Sequence, residues 1–265
     1  MASPLCTLAL LVAATLASPL KPQKAQNPPF FVLAGDSTTA VQSAGGGGWG
    51  SGFLNTTLHN GASGQNFGHN GATTVTFRDG GDWANVLAAA ESSLPQYRPY
   101  VTIQFGHNDQ KPEKNISIAQ FVANLEQFVE EVRAIPAVPV LVTSLSRRKY
   151  RLAADGSATI NEDLADVVAG TKEAAANSGA AIIDLNRAST DYLNAIGPDN
   201  AKTYNLNPTD NTHLNDEGSV VFGSMVASLL DDALPKLRKW VKPVREIAEA
   251  IEEGVYYFPE LDGED

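Results

Sequence analysis

A three-layer α/β/α domain built on a parallel sheet is the fold class this sequence predicts, and three observations predict it. Short apolar runs with almost no polar positions recur along the chain, as strands buried on both faces require. Segments with helical periodicity separate these runs, the alternation of a covered parallel sheet. The 265 residues suffice for one large core, and no internal repeat or interdomain linker divides them.

Taken in order, Phe30 to Ala34 reads as the first buried strand, entered through Asn27-Pro-Pro and ended by Gly35. A shorter run surrounds Asn66, and further strands are expected at Val101 to Phe105, Val138 to Leu145 and Ala180 to Leu185. Helices are expected at Trp83 to Leu94, Ile118 to Ile135, Glu162 to Asn177 and Gly218 to Leu234. In the second of these, Phe121, Leu125, Phe128 and Val132 recur at spacings of four, three and four, which puts them on one helix face. The domain is expected to span 28–240. Residues 241–265 then form a C-terminal helix near Val244 to Ile251 and an acidic tail, Glu252 to Asp265, which reads as a strap over the domain or a frayed end, with a partner-binding segment as the alternative.

The formal charge of −11 and pI near 4.8 disfavour nucleic acid and anionic membrane as partners, since both would repel the chain. An uncharged stretch at 1–17 carries an apolar run from Leu5 to Leu16, too short for a bilayer, and ends in Thr-Leu-Ala. That is the pattern of a cleaved signal peptide, so secretion is expected. The lone cysteine, Cys6, lies inside it, which leaves the mature chain without a disulfide, a Cys nucleophile or a thiolate metal site. Sequons at Asn55 and Asn115 fit a secreted glycoprotein. A monomer is the default expectation.

Ligands of such sheets bind at the carboxyl ends of the strands, where strand order reverses. Ser37 follows the first strand there, in Phe31-Val-Leu-Ala-Gly-Asp-Ser-Thr-Thr. A hydroxyl becomes a nucleophile when an imidazole takes its proton and a carboxylate orients that imidazole. Asp210 and His213, three apart on the loop Asn207-Pro-Thr-Asp-Asn-Thr-His, can meet both needs if that loop lies beside Ser37. Gly71 has no Cβ to keep its N–H from a ligand, and the amide of Asn108 follows a buried strand. With the Ser37 N–H they offer three donors to an oxyanion.

These four segments, in this order, resemble the four blocks of the SGNH (GDSL-like) hydrolase superfamily over roughly 33–218. Gly-Asp-Ser resembles the nucleophile block, 66–71 the oxyanion-glycine block, Gly106-His-Asn-Asp the Gly-x-Asn-Asp block, and Asp210-Asn-Thr-His the Asp-x-x-His block. Ala34-Gly-Asp-Ser-Thr-Thr, Gly48-Trp-Gly and Phe105-Gly-His-Asn-Asp look most like the rhamnogalacturonan acetylesterase-like members. The resemblance implies a flavodoxin-like sheet and removal of acetyl groups from pectic or related polysaccharides without metal or cofactor. It implies Ser37, Asp210 and His213 as the catalytic triad, with Ser37, Gly71 and Asn108 as the oxyanion hole.

Other features are less specific. Gly45-Gly-Gly-Gly-Trp-Gly lacks the Gly-Lys-Ser/Thr ending of a phosphate loop and reads as a loop bordering the site, where Trp49 can stack on a sugar. His59, His69 and His107 match no zinc spacing, so no metal is expected, and His107 is expected to line the substrate site beside Asn108. The cluster Arg147-Arg-Lys-Tyr-Arg reads as a solvated loop that can also attract the carboxylates of a uronic-acid polymer. Two alternatives stay open: a lipolytic or aryl esterase, and a non-catalytic carbohydrate-binding protein on the same scaffold.

Overall fold

The computed structural model describes residues 27–261. The expected signal peptide and Cys6 lie outside that range.

Five parallel strands form the central sheet: β1 (Pro29–Gly35), β2 (Ser63–Asn66), β3 (Arg98–Gln104), β4 (Val138–Val142) and, after an outlying hairpin, β7 (Ala181–Ile183). Their spatial order is β2-β1-β3-β4-β7, so strand order reverses between β1 and β3. That is the flavodoxin-like order, with its crevice at the carboxyl ends of those two strands. Gly35 pairs with Gln104 in the register, which sets the segments following the two strands side by side.

Alternate side chains point to opposite faces of each strand. Val32, Ala34, Val101, Ile103 and Leu141 join one buried core with α3 (Asp82–Ser93), α4 (Ile118–Ala134) and α5 (Ala165–Ser178). The expected face of α4 is there: Phe121, Phe128 and Val132 are fully buried and Leu125 nearly so. Each such side chain contributes about 1.5–3 kcal/mol on burial. Phe31, Leu33, Tyr100, Val140 and Val142 face the other core, with α1 (Gly50–Thr56), α6 (Leu185–Ala201) and α7 (Asp216–Ala233).

The five expected strands and five expected helices are all present, within a few residues at their ends. Four further pieces appear, the short helix α1 being one of them. Helix α2 (Thr74–Asp79) starts from a reciprocal Thr73–Thr76 capping box. Helix α6 runs through Gly197-Pro198 with a kink at Gly197 (φ 75°), and Asp184 caps its start by accepting the Arg187 N–H. The hairpin is β5 (Tyr150–Leu152) with β6 (Ala158–Ile160). The C-terminal helix, α8 (Arg245–Glu253), packs on α7. The segment after it is held by the hydroxyls of Tyr192 and Tyr204, which donate to the carbonyls of Val255 and Tyr257.

Candidate active site

The turn bearing Ser37 is held from several sides. Thr39 and Ala40 N–H both donate to the Asp36 carbonyl at 3.1 Å, folding the chain back immediately after β1. This requires glycine at 35: a Cβ there would overlap the Thr39 hydroxyl and press on the Gln104 carbonyl. Asp36 is fully buried, and its Oδ1 accepts the Thr38 N–H and hydroxyl, both at 2.8 Å. Its Oδ2 faces His107 Nδ1 at 3.6 Å. Burial alone would raise the Asp36 carboxyl, but His107 and the two Thr38 donors outweigh it and hold the group below the usual carboxylate range.

Beneath the turn, Gln104 Oε1 accepts the Thr39 hydroxyl at 2.7 Å and the Trp49 indole N–H at 2.9 Å, while its Nε2 donates to the Thr143 carbonyl at 3.3 Å. Gln104→Leu is therefore expected to destabilise the protein by about 3–5 kcal/mol, because buried donors on Thr39 and Trp49 lose their acceptor. Urea unfolding checks this. Full stability in the variant would mean the network relaxes without cost.

His213 stands between Ser37 and Asp210. Its Nε2 lies 2.7 Å from Ser37 Oγ, and its Nδ1 2.7 Å from Asp210 Oδ2. Asp210 Oδ1 accepts the N–H groups of Thr212 and His213 itself, both at 3.0 Å. Burial pushes the Asp210 carboxyl up, but these N–H groups and the imidazole outweigh it and keep the group below its ordinary range.

The loop carrying this pair is tied down in two places. Arg148, 5% exposed, donates to the His213 carbonyl and to Asn205 Oδ1, both at 2.6 Å, and its backbone N–H reaches the Asn211 carbonyl at 2.8 Å. Burial brings its pKa down to about 10, so it remains charged at neutral pH. The glycine-rich loop makes the second tie. Gly47 N–H donates to the Ser37 carbonyl at 3.2 Å, and the Leu214 N–H donates to the Gly47 carbonyl at 2.8 Å. That loop is the bridge between the serine turn and the histidine loop.

Gly71 and Asn108 face the same cleft. Gly71 has φ +77°, and a Cβ there would point into open space, so backbone conformation rather than crowding favours glycine. No acceptor among the described residues takes the N–H of Ser37 or of Gly71. Asn108 Nδ2 donates one hydrogen to the Ala72 carbonyl at 3.0 Å, and Lys111 Nζ donates to its Oδ1 at 2.7 Å. These two bonds fix the amide and leave its second N–H available. Ser37, Gly71, Asn108 and His213 line one open cleft of about 390 Å³, together with Gly45, Lys111, Arg147 and Thr212.

The sequence-based expectations need two corrections here, at Trp49 and Arg148. Trp49 is fully buried with its N–H on Gln104, so no face of it is open to a sugar; the glycines around it let the backbone approach Thr38. His107 lines the cleft as part of its floor beside Asp36, only 2% exposed. Arg148 is buried structural support and takes no part in a solvated basic loop. The residues that sequence reasoning passed over are Gln104 and Lys111. A polar residue at the end of an otherwise apolar strand was a readable signal for Gln104.

Asp109, 1% exposed, adds a titratable group behind the cleft. Its Oδ1 accepts the Thr74 N–H at 2.8 Å and the Thr74 hydroxyl at 2.6 Å. Burial pushes its pKa up to about 6, against the opposing effect of those donors. A carboxyl raised on folding binds its proton more tightly in the folded state. Stability is then gained as pH falls from 6 towards 4 and lost again as pH rises, on the order of 3 kcal/mol in all. Asp109→Asn removes that dependence. Between pH 7.5 and pH 5 the melting temperature of wild type should gain several degrees on that of the variant. A constant difference would contradict the assignment.

A flavodoxin-like sheet with Ser, Gly, Asn and Asp-x-x-His segments converging at its switch point defines a hydrolase of the SGNH class. The chain belongs to the GDSL-like lipase/acylhydrolase family, whose model matches residues 33–221, and it is a carboxylic ester hydrolase. It is 30% identical to the rhamnogalacturonan acetylesterase RhgT of Bacillus subtilis over 215 residues, covering 76% of this chain and 88% of that protein. Among solved structures, the Bacillus subtilis protein YXIM superposes with a TM-score of 0.66 at 23% identity, covering 80% of this chain and 58% of that one. Axe2, an acetylxylan esterase from Geobacillus stearothermophilus, gives 0.56 at 17% identity, covering 80% of this chain and 96% of that one. These two likenesses establish the shared fold.

Proposed function

We propose that the protein is a secreted, monomeric acetylesterase acting on acetylated plant cell-wall polysaccharide of the rhamnogalacturonan type. The observation that carries the chemistry is His213 set 2.7 Å from both Ser37 Oγ and Asp210 Oδ2 in an open cleft. Similarity to RhgT supports the polysaccharide class. No helix among the described residues is long and apolar enough to cross a membrane.

In this mechanism His213 Nε2 takes the Ser37 proton as Oγ attacks the acetyl carbonyl. Asp210 holds the imidazole with its proton on Nδ1 and offsets the charge that forms. The oxyanion is received by the N–H groups of Ser37 and Gly71 and by Asn108 Nδ2. His213 then protonates the departing sugar hydroxyl. Water, activated by the same imidazole, attacks the acetyl–Ser37 ester and releases acetate.

The test is acetate release from acetylated rhamnogalacturonan, acetylated xylan and a long-chain p-nitrophenyl ester, compared by kcat/KM. The proposal expects the first to exceed the other two. Preference for xylan would keep the chemistry and change the polymer. Preference for the long-chain ester would favour a lipolytic enzyme, and binding without turnover a carbohydrate-binding protein.

A further inference from the structure

Two cations share the cleft with the Ser37–His213 pair, and the proposed chemistry uses neither as an acid, a base or an oxyanion donor. Lys111 is exposed and makes no ion pair among the described residues; its ammonium rests on Asn108 Oδ1. Arg147 enters from the segment that follows β4, at the same carboxyl end of the sheet, its side chain 20% exposed. It is held loosely, with one nitrogen 3.4 Å from the His107 carbonyl and another 3.5 Å from Asp163 Oδ2. Its Nε is buried without an acceptor. No carboxylate is among the residues lining this cleft, in a chain whose formal charge is −11. Two positive side chains concentrated at one place in an acidic protein demand a local reason. Both line the cleft that holds Ser37 and His213.

We propose that Arg147 and Lys111 form a carboxylate subsite that recognises an acidic sugar at or next to the acetylated residue, making the enzyme selective for acetylated uronate-containing chains over neutral ones. The inference rests on the polysaccharide reading above and names the charge that the site selects. A guanidinium offers paired N–H donors that match the two oxygens of a carboxylate. The Lys111 ammonium, with one of its three donors on Asn108 Oδ1, can add a second charge-assisted bond from the same cleft. Recognition by these groups acts in the bound substrate and in the transition state alike, so it belongs in KM. The protein's overall negative charge makes such a local pair necessary, because a polyanion approaching elsewhere is repelled.

Arg147→Gln gives the clean test, since Lys111 also steadies Asn108. Three acetyl esters are compared: acetylated polygalacturonate, the same polymer with its carboxylates methyl-esterified, and p-nitrophenyl acetate. In wild type, kcat/KM is expected to be higher on the free-acid polymer than on its methyl ester. Arg147→Gln should lower kcat/KM on the free-acid polymer about tenfold or more, through KM, and leave the other two substrates within about twofold. Arg147→Lys should restore part of the loss. Added salt should raise the wild-type KM for the free-acid polymer alone, a readout that needs no variant to fold.

Equal effects on the acid and methyl-ester polymers would overturn the subsite. So would a wild type that prefers the methyl ester. Hydrolysis of p-nitrophenyl acetate with no release from either polymer or from acetylated rhamnogalacturonan would overturn the polysaccharide reading and the subsite together. That result is distinct from lost discrimination on polymers that are still cleaved.

Discussion

Asp210→Asn is expected to lower kcat for ester hydrolysis by about 10⁴-fold while leaving KM and the melting temperature nearly unchanged. The reason lies in how the side chain is used. Asp210 Oδ1 accepts two backbone N–H groups, from Thr212 and His213, and Oδ2 faces His213 Nδ1. An asparagine has one acceptor oxygen, and the two N–H groups claim it. Its NH₂ then faces Nδ1, which must give up its proton to accept. The proton moves to Nε2, where it points at Ser37 Oγ, and the imidazole can no longer receive the serine proton. The loop geometry survives because Arg148 and Gly47 hold it independently of this carboxylate. Since the Asp210 carboxyl lies below its ordinary range, it stays ionised well into acid. A variant retaining more than about a tenth of wild-type kcat would show that Asp210 does not orient the imidazole.

The fold was readable because its signals are local. Phe30 to Ala34 or Val101 to Phe105 cannot sit half exposed, and Phe121, Leu125, Phe128 and Val132 mark one helical face without reference to anything distant. Helix α6 was not readable in the same way. Asn186, Ser189, Thr190, Asp191 and Asn194 dilute its apolar stripe, and Gly197-Pro198 looks like a terminator. Tertiary packing of Leu185, Tyr192, Leu193 and Ile196 overrides that composition. The hairpin β5–β6 is three residues long on each side and buries only Ile160 fully, which leaves little pattern to find.

The site divides along the same line. Gly35-Asp-Ser, Asn108 and Asp210-x-x-His213 are short blocks whose residue types state their chemistry, and the sheet register then brings them together. What sequence could not convey is which side of the surface each neighbour occupies. Trp49 and Trp83 are alike in composition terms, yet both are packed, with their indole N–H groups on Gln104 and Glu131. Within Arg147-Arg-Lys, adjacent residues separate completely: Arg148 turns inward to the histidine loop, Arg147 to the cleft, and Lys149 to solvent. Alternation of direction along an extended segment accounts for this, but only the position of the Asp210–His213 loop decides which direction is inside.

Ser37→Ala carries the largest expected effect and tests the central claim most directly. The substitution removes one oxygen and leaves Cβ, the turn hydrogen bonds of Asp36 and the Gln104 network in place, so folding should be unaffected. Without Oγ there is no acyl–enzyme, and only binding and the oxyanion donors remain. Acetate release by wild type and Ser37→Ala, measured on acetylated rhamnogalacturonan and on p-nitrophenyl acetate, is predicted to differ by at least about 10⁴-fold on both, with equal melting temperatures. Acetate release by the variant at a rate near wild type would contradict Ser37 as the nucleophile, and with it the account of this cleft.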